Sequence, residues 1–180
     1  EEARWDTLGS LSGDFLCPRY FSSAGYLDSN HSVYIFGGMG NESGDQVIGR
    51  RYFHDLYKVD LQEMHVQKLW DISEGQPNVV PVQDMLILND SCFYVLRYPE
   101  SVSNSFLHLY RFSVEDGSCH ILGDSIPIYS DKITTNARLY YNERQSRLFV
   151  TVQETSDDVS SKFSVYSLLF PPVSLEKYTA

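Results

Sequence analysis

The run Ser32-Val33-Tyr34-Ile35-Phe36-Gly37-Gly38 constrains this chain more than any other segment. A short stretch of β-branched and aromatic residues reads as a buried strand. The glycine pair behind it requires the backbone to bend sharply or to approach another strand where a Cβ would clash. Three neighbours complete a pattern. Tyr20–Leu27 is a strand closed by the turn Asp28-Ser29-Asn30, His54–Asp60 is another, and Val66–Trp70 is a third. A four-stranded antiparallel sheet of this size has two faces and cannot cover both by itself, so the pattern predicts repetition.

The pattern does recur. The strand starting at Val33 returns at Cys92, 59 residues on, and at Leu148, a further 56. The strand holding Tyr57 returns with Tyr110 and Tyr166, at intervals of 53 and 56. Asp84–Leu88 before Asn89-Asp90, and Ala137–Tyr141 before Asn142–Gln145, fill the first-strand slot. Strand, polar turn, apolar strand, long loop and Tyr strand in a unit of about fifty residues resemble a kelch repeat, one blade of a β-propeller. The first unit matches best. The later ones have Arg97-Tyr98 and Gln153-Glu154 in place of the glycine pair, and Ile121-Leu122 where the family has a late tryptophan.

The expectation is an all-β chain of three kelch-like propeller blades, each a four-stranded antiparallel sheet, over residues 15–72, 79–125 and 133–178. Residues 1–10, with Ala3–Leu8, are expected to form the outer strand of a preceding blade, and Ser174–Tyr178 a final strand. An irregular β-sandwich is the competing class. Three blades do not close a ring, which takes 4–8. The chain is therefore expected to be part of a longer propeller or one half of a six-bladed ring closed by two copies.

Composition narrows the partners. The formal net charge of −10 disfavours nucleic acid, and no apolar run approaches the length of a membrane span. Three widely spaced cysteines, Cys17, Cys92 and Cys119, fit neither a disulfide framework nor a zinc site. They leave the compartment open, since exported propellers often lack disulfides too. Asn30, Asn41 and Asn89 head Asn-x-Ser sequons, a composition turns also favour.

Chemistry is hard to find in the sequence. Nucleophile elbows, phosphate-binding glycine loops and dinucleotide fingerprints are absent. The five histidines lack ligand spacing, so no catalytic residue, metal or cofactor is assigned. Asp55 and Asp60, five apart on a strand, point to opposite faces and do not make a catalytic pair.

The resemblance implies that the loop after the second strand lies on a face that often binds. The first such loop, Met39–Phe53, is long and carries Arg50, Arg51 and Tyr52, residue types common at interface hot spots. The second begins at Arg97-Tyr98. Arg19 stands where kelch repeats often place a basic residue near that face. The expected ligand-binding residues are thus Arg19, Arg50, Arg51, Tyr52, Arg97 and Tyr98. The expected function is non-catalytic recognition of a protein, or of missing blades of the parent chain, with a glycan second. Some kelch propellers are enzymes, notably a copper radical oxidase and a sialic-acid mutarotase, and that is the alternative.

Overall fold

A computed structural model describes residues 5, 7, 9–45, 47–76, 79–99, 106–127, 136–155 and 161–169. The fold is all-β, built from curled sheets consistent with the blades of an incomplete β-propeller. The first sheet holds β1 (Ser12–Gly13), β2 (Arg19–Tyr20), β3 (Ser23–Leu27), β4 (Ser32–Gly40), β5 (Arg51–Asp60) and β6 (His65–Asp71). Its body is the antiparallel meander β3-β4-β5-β6. β2 extends along β4, and β1 pairs parallel with β6 at the outer edge. The second sheet is the meander β7 (Val79–Ile87), β8 (Cys92–Pro99), β9 (Phe106–Ser113) and β10 (Cys119–Pro127). The third holds β11 (Asn136–Asn142), β12 (Arg147–Thr155) and β13 (Ser161–Leu169). Expected strand Ser174–Tyr178 lies outside the described residues, as do residues 1–4, 6 and 8 of the expected outer strand.

The sheets meet through their first strands: β3 lies against β7, and β7 against β11. Gly25 marks how close they come, because a Cβ there would sit 2.7 Å from the Met85 side chain. Between the first two sheets Phe36, Leu56, Phe93, Val95 and Phe112 are almost fully buried. Phe93 and Phe112 stack at 5.2 Å with Phe36 tilted against both. Each ring removed from water contributes about 1.5–3 kcal/mol. Trp70 closes the outer end, its indole N–H donating to the Val114 carbonyl at 2.8 Å. The second and third sheets enclose Tyr94, Leu96, Leu107, Leu109, Leu148, Val150 and Val152. The far face of the first sheet is covered by the segment leading into β2. Leu16 packs on Tyr57, Val59 and Val66, and the Tyr57 hydroxyl donates to the Phe15 carbonyl.

Turn chemistry repeats as well. The β3–β4 and β11–β12 hairpins both close with a three-residue 3-10 turn and a left-handed residue, His31 or Ser146. The glycine pair bends β4 without ending it. The register shifts between Phe36 and Gly38, and pairing with β5 resumes through Gly40. Gly38, at φ 91°, lies so close to β2 that a Cβ would fall 2.7 Å from the Tyr20 carbonyl oxygen. This close approach is what the pair predicted. The first strand accordingly splits in two, with Phe21 at φ 56° in the break.

Candidate functional site

Because β4 runs on to Gly40 and β5 starts at Arg51, the first long loop covers residues 41–50, shorter than the sequence suggested. Its own polar groups hold it. Asn41, buried, donates from Nδ2 to the carbonyls of Asp45 and Ile48, both at 2.7 Å, and its Oδ1 accepts from the Ser43 hydroxyl at 2.9 Å. The Asp45 carboxylate accepts the backbone N–H groups of Val47 and Ile48 at 2.7 and 3.1 Å. Those bonds favour the charged carboxylate and lower its pKa from the ordinary value. The result is a stapled loop that leaves Val47 81% and Ile48 74% exposed. Arg50 is exposed beside them and makes no ion pair among the described residues. Arg51 is exposed too, but pairs with Glu42 at 2.6 Å. Tyr52 is half-buried on β5, opposite Met39. A polar niche of about 130 Å³, lined by Pro18, Arg19, Tyr20, Asn41, Gly44 and Asp45, separates the loop from β2. Just past β2 the Phe21 side chain is 63% exposed. Its left-handed backbone is uncommon for a bulky residue and marks local strain.

Arg19 does not face the solvent. Its side chain and that of Asp55 are 5% and 2% exposed. Its two terminal nitrogens donate to the two carboxylate oxygens at 2.6 and 3.1 Å. It also donates to the carbonyls of Cys17 and Gly37, at 3.1 and 3.2 Å. The guanidinium lies 4.3 Å from the Phe53 ring centre and 5.0 Å from that of Tyr57. Bidentate geometry and two ring faces make this a buried cation site within one sheet. Burial, and next the charge of Glu42, push the Cys17 thiol up beside it.

Arg97 and Tyr98 lie on β8 and not at the start of a loop, because that strand runs to Pro99. Tyr98 pairs with Val80, and its side chain lies outside what is described. Arg97 is buried between the first two sheets, donating to Nδ1 of His54 at 2.8 Å. The rings of Tyr110, Phe112 and Phe36 surround its guanidinium at 5.0–5.9 Å. Desolvation lowers its pKa from the ordinary value. Both arginines therefore support the loop-bearing end from beneath, while Arg50, Arg51, Val47 and Ile48 are among the residues that reach solvent there.

His54, Asp55, Val47 and Ile48 were missed as site residues by sequence reasoning. A carboxylate in the apolar strand His54–Asp60 was the available signal for Asp55, since a buried acid requires a partner. Asp55 and Asp60 do play separate parts: Asp60 caps the β5–β6 turn through the N–H groups of Gln62 and Glu63. Among the described residues no three His, Cys, Asp or Glu side chains group as a metal site. Of the sequons, Asn41 is buried and Asn89 is exposed, its Oδ1 capping the N–H groups of Ser91 and Cys92. No protein-family model and no curated protein matches this chain.

Proposed function

We propose that this chain is a stretch of kelch-like β-propeller that recognises a protein segment, without catalysis, through the loop-bearing end of its first sheet. One observation carries the reading: the loop over 41–50 is fixed by its own hydrogen bonds yet presents Val47, Ile48 and Arg50 to water. A pre-organised loop loses little entropy on binding. An apolar pair beside a cation suits a partner carrying an apolar side chain next to a carboxylate. The kelch assignment is supported by the glycine pair, the recurring strand order and the turn shared by two sheets.

Panning a random-peptide display library against the immobilised chain tests this. Enriched peptides are expected to bind the Val47→Asp/Arg50→Ala variant about tenfold more weakly or worse, equivalent to about 1.4 kcal/mol. Equal binding to both proteins would remove the loop from the reading. Stoichiometric copper in the purified protein would favour a kelch-fold oxidase instead.

A further inference from the structure

The two interfaces between sheets are filled differently toward their outer ends. In the first sheet, Leu56 pairs with Phe36 on one side and with Trp70 on the other. The Trp70 indole lies against Phe36, Phe93 and Phe112. Gly117 of the second sheet leaves room for it, since a Cβ there would fall 3.0 Å from the ring. In the second sheet Leu109 holds the place of Leu56. It pairs with Leu96 and precedes Tyr110, as Leu56 pairs with Phe36 and precedes Tyr57. Its partner on β10 is Leu122. A smaller, aliphatic side chain therefore stands where the first sheet has an indole.

A cavity of about 260 Å³ opens at that place, between β10 and β13. Leu107, Leu109, Leu122, Val150 and Leu168 line it with apolar surface, and Leu107, Leu109 and Val150 are buried. Polar groups come from an irregularity in β10. Its register shifts between Leu122 and Ile126, so Gly123, Asp124 and Ser125 stand opposite the single residue His108. A bulge of this kind takes backbone out of the ladder and re-aims side chains, and bulges are over-represented next to active sites. Asp124 and Ser125 are exposed and border the cavity. Asp124 makes no ion pair among the described residues. An apolar hollow with a few polar groups beside it is the usual form of a small-molecule site.

We infer that this cavity binds a small aromatic amine, with a planar ring of about indole size in the hollow and its ammonium group at Asp124. The ring is argued from the first interface, where an indole sits between two of these sheets at the equivalent position. The ammonium is argued from the carboxylate at the cavity and from the net charge of −10, which draws cations. The volume lies below the roughly 300–1,000 Å³ of sites for drug-sized ligands, so a molecule of one fused ring system is the fit. Burial of the ring supplies most of the affinity, and an ion pair to an exposed carboxylate adds little. The expected Kd is on the order of 0.1–1 mM. The loop at 41–50 takes no part in this site.

NMR titration of the full chain, with labelled Leu and Val methyl groups, tests the inference with indole and tryptamine as probes. Each probe is expected to bind once per chain, with nuclear Overhauser contacts from its ring to the methyls of Leu122 and Leu168. Tryptamine should bind about threefold more tightly than indole, and Asp124→Asn should remove that difference. Leu122→Trp fills the hollow with the chain's own indole and should abolish binding of both probes, while a thermal melt shows that the variant is folded. Leu168→Phe narrows the same space from β13 and serves if Leu122→Trp does not fold. Absence of binding at millimolar probe overturns the inference, as do contacts to methyls elsewhere or full affinity in a folded, filled variant. Equal affinity of the parent chain for both probes refutes the role of Asp124.

Discussion

The Arg19–Asp55 pair makes the sharpest prediction, because its two halves are not equally supported. Asp55→Leu leaves the Arg19 guanidinium with two backbone carbonyls and two ring faces. Arg19→Met leaves a carboxylate that is 2% exposed and takes its two hydrogen bonds from the arginine alone. Breaking a buried pair from one side costs about 3–5 kcal/mol. The expected losses are therefore about 3 kcal/mol for Asp55→Leu and about 5 kcal/mol for Arg19→Met. Replacing both by apolar residues removes the orphaned charge. The double variant should then be more stable than Arg19→Met by at least about 2 kcal/mol. Urea unfolding followed by fluorescence of the half-buried Trp70 measures this. With a slope of about 2 kcal/mol/M, Arg19→Met shifts the midpoint by about 2.5 M. A shift below about 0.5 M, or a double variant no more stable than the worse single, would refute a structural role for this arginine.

Other outcomes follow from the same structure. Gly38→Ala should unfold the chain at ordinary temperature in a thermal melt, since its Cβ would meet the Tyr20 carbonyl oxygen and the Ser22 backbone nitrogen at 2.7 and 2.8 Å. Gly49→Ala, with a similar φ and open space around it, should lower stability by only about 1 kcal/mol. Phe93→Ala should cost about 3–5 kcal/mol and red-shift Trp70 emission, because it empties the centre of the aromatic cluster. Burial, and next the Cys92 thiol, push the Tyr94 hydroxyl up to about 12. The unfolded chain ionises this group near its ordinary value of 10, while the folded chain keeps it neutral. Its stabilising contribution is complete below pH 10 and is lost as pH rises from 10 toward 12. Tyr94→Phe should therefore show a shallower loss of stability across that window in urea titrations.

The strands were legible in the sequence because each is a compact run of β-branched and aromatic residues bounded by polar turns. The strands expected over 33–36, 92–96 and 148–152, and over 56–59, 109–112 and 165–168, lie within β4, β8 and β12, and within β5, β9 and β13. What the sequence hid depends on distant partners. Arg19 and Asp55 are 36 positions apart, and Arg97 and His54 are 43 apart. An arginine reads as a surface residue until its partner is known. The glycine pair signalled the bend and the close approach, but not that β4 runs on to Gly40, which only the pairing with β2 and β5 shows. Val47 and Ile48 were invisible as exposed residues because the bonds that turn them outward come from Asp45 and Asn41.

The two ends of these sheets are held by different physics. At the end carrying the turns at 28–31, 61–64 and 143–146, short local hydrogen bonds accepted by Asp60 and Asn142 suffice. At the loop-bearing end two arginines are buried, one within the first sheet and one between the first and second. Apolar contacts at those places would give similar stability without desolvating a cation, so stability alone does not account for them. Directional bonds do something apolar packing does not: they fix angle as well as distance. Arg19 ties β2 and Gly37 to β5, and Arg97 ties β8 to His54, so the backbone beneath the loop at 41–50 is set from two sides. If that is their purpose, Arg97→Met should leave the urea midpoint of the chain within about 0.5 M of the parent. It should at the same time speed amide exchange at Val47 and Ile48. Unchanged exchange at those two amides would mean that the cation between the sheets does not steady the loop.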